Sequence, residues 1–186
     1  MQKRKDWNGL IAGFKASDLV FLDESGCNTD ITRRYANSLG GSRAVDSAPL
    51  SKTRNTTILS SIQLDGTLHY TTFSGGTTVE RFKRYLETDL LPHLNGDSIL
   101  IMDNMKSHHA KAVKNLLDSS GVRYIYLPPY SLDLNPIEKL WSKVKSFLRK
   151  FKARTLDALP NAIQRAFQTV SPSDCSGWFK SCDYLH

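Results

Sequence analysis

Ser98-Ile99-Leu100-Ile101-Met102-Asp103 decides the fold class. Four consecutive large aliphatic side chains with no polar alternation suit a strand covered on both faces, as at the centre of a parallel or mixed sheet. It is also the longest purely aliphatic run in the chain, far short of the roughly 20 apolar residues a membrane span needs. Downstream, a helix is expected over 109–119, closed by Gly121, then a strand over 122–127. Pro128-Pro129 forces a loop. Asn135-Pro136 marks a helix start, with asparagine as the N-cap and proline in the first helical position. Ile137, Leu140, Trp141, Val144, Leu148 and Phe151 follow at helical spacing, and a last helix is expected over 155–170.

Upstream, Leu19-Val20-Phe21-Leu22-Asp23 reads as a buried strand ending on an acid. Residues 56–62 and 68–73 are β-branched or aromatic runs on either side of Asp65-Gly66, a hairpin signal. Thr77-x-x-Glu80 has the form of a capping box, opening a helix with Val79, Phe82, Leu86 and Leu90 on one face. Pro92 and Asn95-Gly96 end it. A hairpin followed by helix–strand–helix–strand–helix predicts an α/β layered domain, a mixed sheet with helices on its faces. One domain is expected over 19–170, with a lead-in over 1–18 and a tail over 171–186.

The 186 residues include 25 Lys and Arg against 18 Asp and Glu, a formal charge of +7. That excess points to an anionic partner, foremost nucleic acid. With 40% hydrophobic and 23% charged residues the chain can bury a core, which excludes disordered and collagen-like classes. Three cysteines, Cys27, Cys175 and Cys182, are too few for a disulfide framework, and no signal peptide is visible, so a reducing, intracellular setting is expected. Cys175 and Cys182 with His186 fit no standard zinc spacing. No phosphate-binding Gly-rich Lys-Ser/Thr motif supports nucleotide hydrolysis.

Asp23 and Asp103 both follow apolar strands, and ligands of α/β sheets bind beyond strand ends. Either acid alone would be read as a turn cap; two on neighbouring strands favour a site. Glu24 should point away from Asp23's face by strand alternation. Glu138 fits an ordinary acid in the first turn of a helix, but it heads a basic ridge. Lys139, Lys143, Lys145, Arg149, Lys150, Lys152 and Arg154 follow it with no acid between. Ser142, Lys145 and Arg149 share its helical face. Three carboxylates without histidine or cysteine ligands suit hard divalent cations, Mg²⁺ or Mn²⁺, and two such ions can clamp the oxygens of a phosphodiester substitution.

Three segments resemble the DDE transposases of the mariner superfamily, and within it the bacterial insertion-sequence branch. They are Phe21-Leu22-Asp23-Glu24-Ser25-Gly26, Met102-Asp103-Asn104-x-x-x-His108, and Leu127-Pro128-Pro129-Tyr130-Ser131-x-Asp133-Leu134-Asn135-Pro136-Ile137-Glu138-x-Leu140-Trp141. Asp103 and Glu138 are separated by 34 residues, the spacing of that branch. The resemblance implies a ribonuclease H-like fold, a five-stranded mixed sheet with helices on both faces. It implies Mg²⁺-dependent DNA cleavage at transposon ends and strand transfer, with Asp23, Asp103 and Glu138 as catalytic ligands of two ions. Asn104 and His108 match supporting positions, although His108 could equally cap the helix that follows. Trp141 matches too, and its place on the apolar stripe favours core packing.

DNA contacts are expected from Lys139, Lys143, Lys145 and Arg149. Leu132 stands where the family usually has proline, and Arg34-Tyr35-Ala36 departs from the usual run after the first aspartate. The resemblance further implies double-stranded DNA as partner, both transposon ends and target, and a homodimer on DNA. It implies a bacterial cytoplasmic setting at the nucleoid. Members carry N-terminal helix-turn-helix modules, so a module of that kind, or a partner chain bearing one, is expected to supply recognition of the ends. A metal-dependent nuclease without joining activity and a silent DNA-binding remnant are the alternatives.

Overall fold

The structure, a computed structural model, describes residues 2–28, 38, 40, 42–43, 55–151 and 157–185. Arg34-Tyr35-Ala36, Lys152, Arg154, Thr155 and His186 lie outside the described residues. Five strands form one sheet: β1 (Leu19–Cys27), β2 (Thr56–Ile62), β3 (Leu68–Ser74), β4 (Ile99–Met102) and β5 (Arg123–Tyr126), in the order β3-β2-β1-β4-β5. The first three run antiparallel, and β1, β4 and β5 run parallel. Between β2 and β3 the chain reverses at Asp65-Gly66, where Gly66 takes φ 91° and its N–H bonds the Gln63 carbonyl at 3.2 Å.

Parallel neighbours need crossovers, and helices supply them. α2 (Val79–Tyr85) links β3 to β4, and α3 (Lys111–Ser120) links β4 to β5. Both cover one face of the sheet, where Phe82, Tyr85, Val113 and Leu117 pack on Val20, Leu22, Leu100 and Met102. Alternate residues of the same strands, Leu19, Phe21, Ile99 and Ile101, point into the opposite core. There they meet α4 (Ile137–Phe151), α5 (Ala158–Gln168), α6 (Pro172–Lys180) and, through Trp7 and Ile11, α1 (Gln2–Ile11). β4 is thus covered on both faces, as its unbroken apolar run requires.

Several boundaries differ from the sequence expectation, each for a local reason. β1 does not end at Asp23 but runs on to Cys27, because β2 keeps pairing with it as far as Cys27↔Thr56. The N-cap of α2 is Thr78, whose hydroxyl accepts from Arg81 N–H at 3.3 Å; the Thr77 hydroxyl instead donates to the Glu24 carboxylate. Beyond α2 the helix widens into a π turn over Leu86–Leu90, which keeps Leu86 and Leu90 in the core before Pro92 closes it. α3 starts at Lys111 and not at His109, since the chain before it turns to bury His108. Asn135 accepts the Glu138 N–H through its backbone carbonyl, at 3.1 Å, but its side-chain oxygen is buried and makes no hydrogen bond. α1 and α6 have no counterpart in the sequence expectation.

Candidate active site

Parallel pairing of β1 with β4 ends at Leu22↔Met102, so Asp23 and Asp103 are the next residues on two adjacent strands and stand level. Asp23 is buried. Its Oδ1 accepts the Glu24 N–H at 2.7 Å and its Oδ2 the Trp141 indole N–H at 3.0 Å. Burial pushes its carboxyl up to about 7, against the lowering effect of those two bonds and with a further push from the charges of Asp103 and Glu138.

Asp103 has a different balance. Burial works to raise it, but His108, by hydrogen bond and by charge, together with the Met105 N–H and His109, outweighs burial and holds it below the ordinary carboxylate range. His108 Nδ1 lies 2.8 Å from Asp103 Oδ1. The imidazole is completely buried and stacks on Phe82 with ring centroids 4.2 Å apart. Its Nε2 is buried without a hydrogen bond, so a ring proton finds a partner at Nδ1, facing Asp103.

Glu138 is the second residue of α4 and is half-buried. Burial raises its carboxyl, Lys145 opposes that, and Asp103 adds to it. The three carboxylates line one cavity of about 730 Å³, walled by Asn104, Met105, Asn135 and residues 127–133. The sheet and α4 together bring residues 115 positions apart in the chain to one cavity. Asn104 lines the same cavity, and its amide donates to the Leu127 carbonyl while its Oδ1 faces His109 Nε2 at 3.2 Å, tying the end of β4 to the cavity wall. The donor set is oxygen only, which suits Mg²⁺ or Mn²⁺. Among the described residues no three His, Cys, Asp or Glu side chains are gathered closely enough to hold one ion.

The four expected DNA contacts divide between two faces of α4. Lys145 interacts electrostatically with Glu138, and Arg149 follows Lys145 one turn on. Lys139 and Lys143 lie on another face, where Lys143 Nζ pairs with Asp174 at 2.6 Å beside the N-terminus of α6. Trp141 is in the core as expected, yet it also donates to Asp23, a role core packing alone did not convey. The signal was available in principle, because a buried indole N–H needs an acceptor.

A family model described as DDE superfamily endonuclease matches residues 18–160. No curated protein matches the sequence. Among solved structures, the Mos1 transposase paired-end complex with left transposon end is similar with a TM-score of 0.81 at 16% identity, over 97% of this chain and 57% of that one. A pre-cleavage Mos1 transpososome gives 0.80 at 18% identity, over 98% of this chain and 61% of that one. This chain therefore spans less than two thirds of the length of either. The Mos1 transposase catalytic domain with raltegravir and Mg gives 0.72 at 16% identity, over 98% of this chain and 89% of that one. These likenesses establish the fold: the mixed five-stranded sheet is that of the ribonuclease H-like transposase catalytic domain.

Proposed function

This chain belongs to the DDE superfamily endonucleases, and from that premise we propose that it is the catalytic domain of a mariner-superfamily transposase of the bacterial insertion-sequence branch. It cleaves DNA strands at transposon ends and joins them to a target. The observation that carries this is the convergence of Asp23, Asp103 and Glu138, from three separate elements, on one cavity. Asp23, Asp103 and Glu138 would hold two divalent cations. When bound, such ions supply a polarised phosphodiester and an activated attacking oxygen.

The chain's own groups prepare that site. Trp141 and the Glu24 N–H fix both oxygens of Asp23; His108 and the Met105 N–H orient Asp103. Lys145 and Arg149, on the Glu138 face, serve as phosphate contacts, which position a strand without reading its sequence. Recognition of the ends then comes from a helix-turn-helix module or partner chain, with two copies of the catalytic domain acting together on DNA. Among the described residues no helix is long and apolar enough to cross a membrane, and the reaction belongs at the bacterial nucleoid.

The test offers a transposon-end duplex and a target plasmid to the protein with Mg²⁺, Mn²⁺, Ca²⁺ or chelator. Cleavage and joined product are expected with Mg²⁺ or Mn²⁺, and binding with little turnover with Ca²⁺, whose looser coordination misplaces the reacting oxygens. Cleavage without joining, even from a pre-cleaved end, would favour a plain nuclease. Chelator-resistant cleavage would reject the metal-dependent mechanism.

A further inference from the structure

Tyr130 stands at the tip of the loop that walls the cavity; its ring is fully exposed and its backbone left-handed, with φ 57°. That conformation is uncommon for a bulky residue and persists only where the surroundings impose it. They do so from both sides. Ahead of the tip, Leu127 N–H bonds the Met102 carbonyl at 2.8 Å, the Asn104 amide donates to the Leu127 carbonyl, and Pro128-Pro129 stiffens the approach. Behind it, Ser131 is buried with its hydroxyl donating to the Pro129 carbonyl, and Leu134 N–H bonds the Ser131 carbonyl at 3.1 Å. Leu132 is 69% exposed. A rigid turn thus holds an aromatic and an aliphatic side chain in water at the rim of a cavity lined by three carboxylates, and neither joins the two cores.

The cavity, about 730 Å³, falls within the roughly 300–1,000 Å³ of small-ligand pockets. It has room for a nucleotide of one strand and not for an intact duplex. The backbone of one strand enters while the rest of the duplex stays at the rim, and a base that leaves its stack there needs another flat face. Every base has such a face, so an aromatic platform accepts it whatever the sequence.

We propose that Tyr130, with Leu132 beside it, is the stacking platform for an unpaired DNA base next to the scissile phosphate. This role presupposes the DNA-cleaving function proposed above and adds a positioning residue that acts on the base and not on the phosphate. To test it, the full chain is titrated in Ca²⁺ with a short single-stranded oligothymidylate and with the same strand made abasic throughout. Cleavage of a paired duplex is followed in Mn²⁺ with the same preparations.

Wild type should prefer the base-bearing strand by roughly fivefold or more, the low end of what one stacked base contributes. Tyr130→Ala should abolish that preference, leave abasic binding unchanged and slow cleavage of the paired duplex; Tyr130→Phe should keep both. Cleavage by wild type without base preference overturns the platform and leaves the endonuclease standing. A Tyr130-dependent preference without cleavage rejects the endonuclease and, with it, a platform beside a scissile phosphate. Loss of affinity for both strands alike in Tyr130→Ala also overturns it, as would an unchanged affinity accompanied by loss of self-association, which would assign the tyrosine to a second copy of the chain.

Discussion

The indole N–H of Trp141 donates to Asp23 Oδ2 at 3.0 Å, joining the middle of the sheet to the helix that carries Glu138. Trp141→Phe keeps an aromatic ring in the core and removes only that donor. Asp23 then loses one of the two bonds that oppose its burial, and its carboxyl rises further. A hydrogen bond to a charged group contributes about 1.5–3 kcal/mol, so a shift of roughly one to two pH units follows. In the metal-free protein the Asp23 titration should move to higher pH by up to that amount, and the acid limb of the cleavage profile should move in the same direction. An unshifted profile with a uniformly lower rate would make Trp141 a packing residue only.

Asp23 also gives the protein without metal a pH-dependent stability. Its folded-state carboxyl is raised from 3.8 to about 7, so the folded chain holds that proton more tightly than the unfolded one. Its contribution is complete below about pH 4 and is lost as pH rises through about 7, up to on the order of 4 kcal/mol. Urea unfolding in chelator should show Asp23→Asn matching wild type at about pH 4 and exceeding it at about pH 8. Parallel stability curves for the two proteins would contradict the burial of an ionisable Asp23.

The two faces of α4 predict different responses to charge removal. Replacing Lys145 and Arg149 together by alanine should lower duplex affinity about equally on any sequence and flatten its log–log salt dependence by roughly two units, at about 0.9 per phosphate contact. Replacing Lys139 and Lys143 should change the slope little, because Lys143 is paired with Asp174. Salt titrations of wild type and the two double variants check this. Equal flattening by both pairs would place DNA on both faces.

Legibility followed the range of the interaction. β4 was readable because an unbroken apolar run has one good use in a sheet, and the carboxylates at 23, 103 and 138 stood out by type and position. That Asp23 and Asp103 stand level is a matter of register between β1 and β4, which neither strand's sequence contains. α6 is local by the same measure: Ser171-Pro172-Ser173-Asp174 is a proline-led capping box, and Cys175 and Phe179 are its buried face. Cys175 and Cys182 are buried as apolar side chains. α1 was hidden for a different reason. Its Trp7 donates to the Tyr184 hydroxyl, at 3.3 Å, and that hydroxyl donates to the Leu134 carbonyl at 2.7 Å, contacts made from the far end of the chain.

The hairpin end of the sheet, away from the carboxylates, predicts a purely structural defect. Gly66 has φ 91°, and a Cβ there would meet Pro172 Cα at 3.0 Å and its nitrogen at 3.1 Å, both backbone atoms at the start of α6. Gly66→Ala should lower unfolding stability by about 2–3 kcal/mol, from the left-handed backbone and the clash together. Cleavage per folded molecule should be unchanged. Denaturation midpoints and active-fraction assays measure the two effects, and a neutral Gly66→Ala would mean that the turn and α6 are not packed as described.

The central claim is that Asp103, held by His108 and level with Asp23, carries the chemistry. Asp103→Asn keeps size and hydrogen-bonding capacity while deleting the charge a divalent cation requires. The deciding measurement is the cleavage rate of a transposon-end duplex by this variant in Mn²⁺, beside wild type, with circular dichroism and denaturation showing the fold unchanged. A loss of roughly a hundredfold or more is expected, about 2.7 kcal/mol in the barrier. A folded Asp103→Asn that cleaves within about tenfold of wild type, some 1.4 kcal/mol, would contradict it.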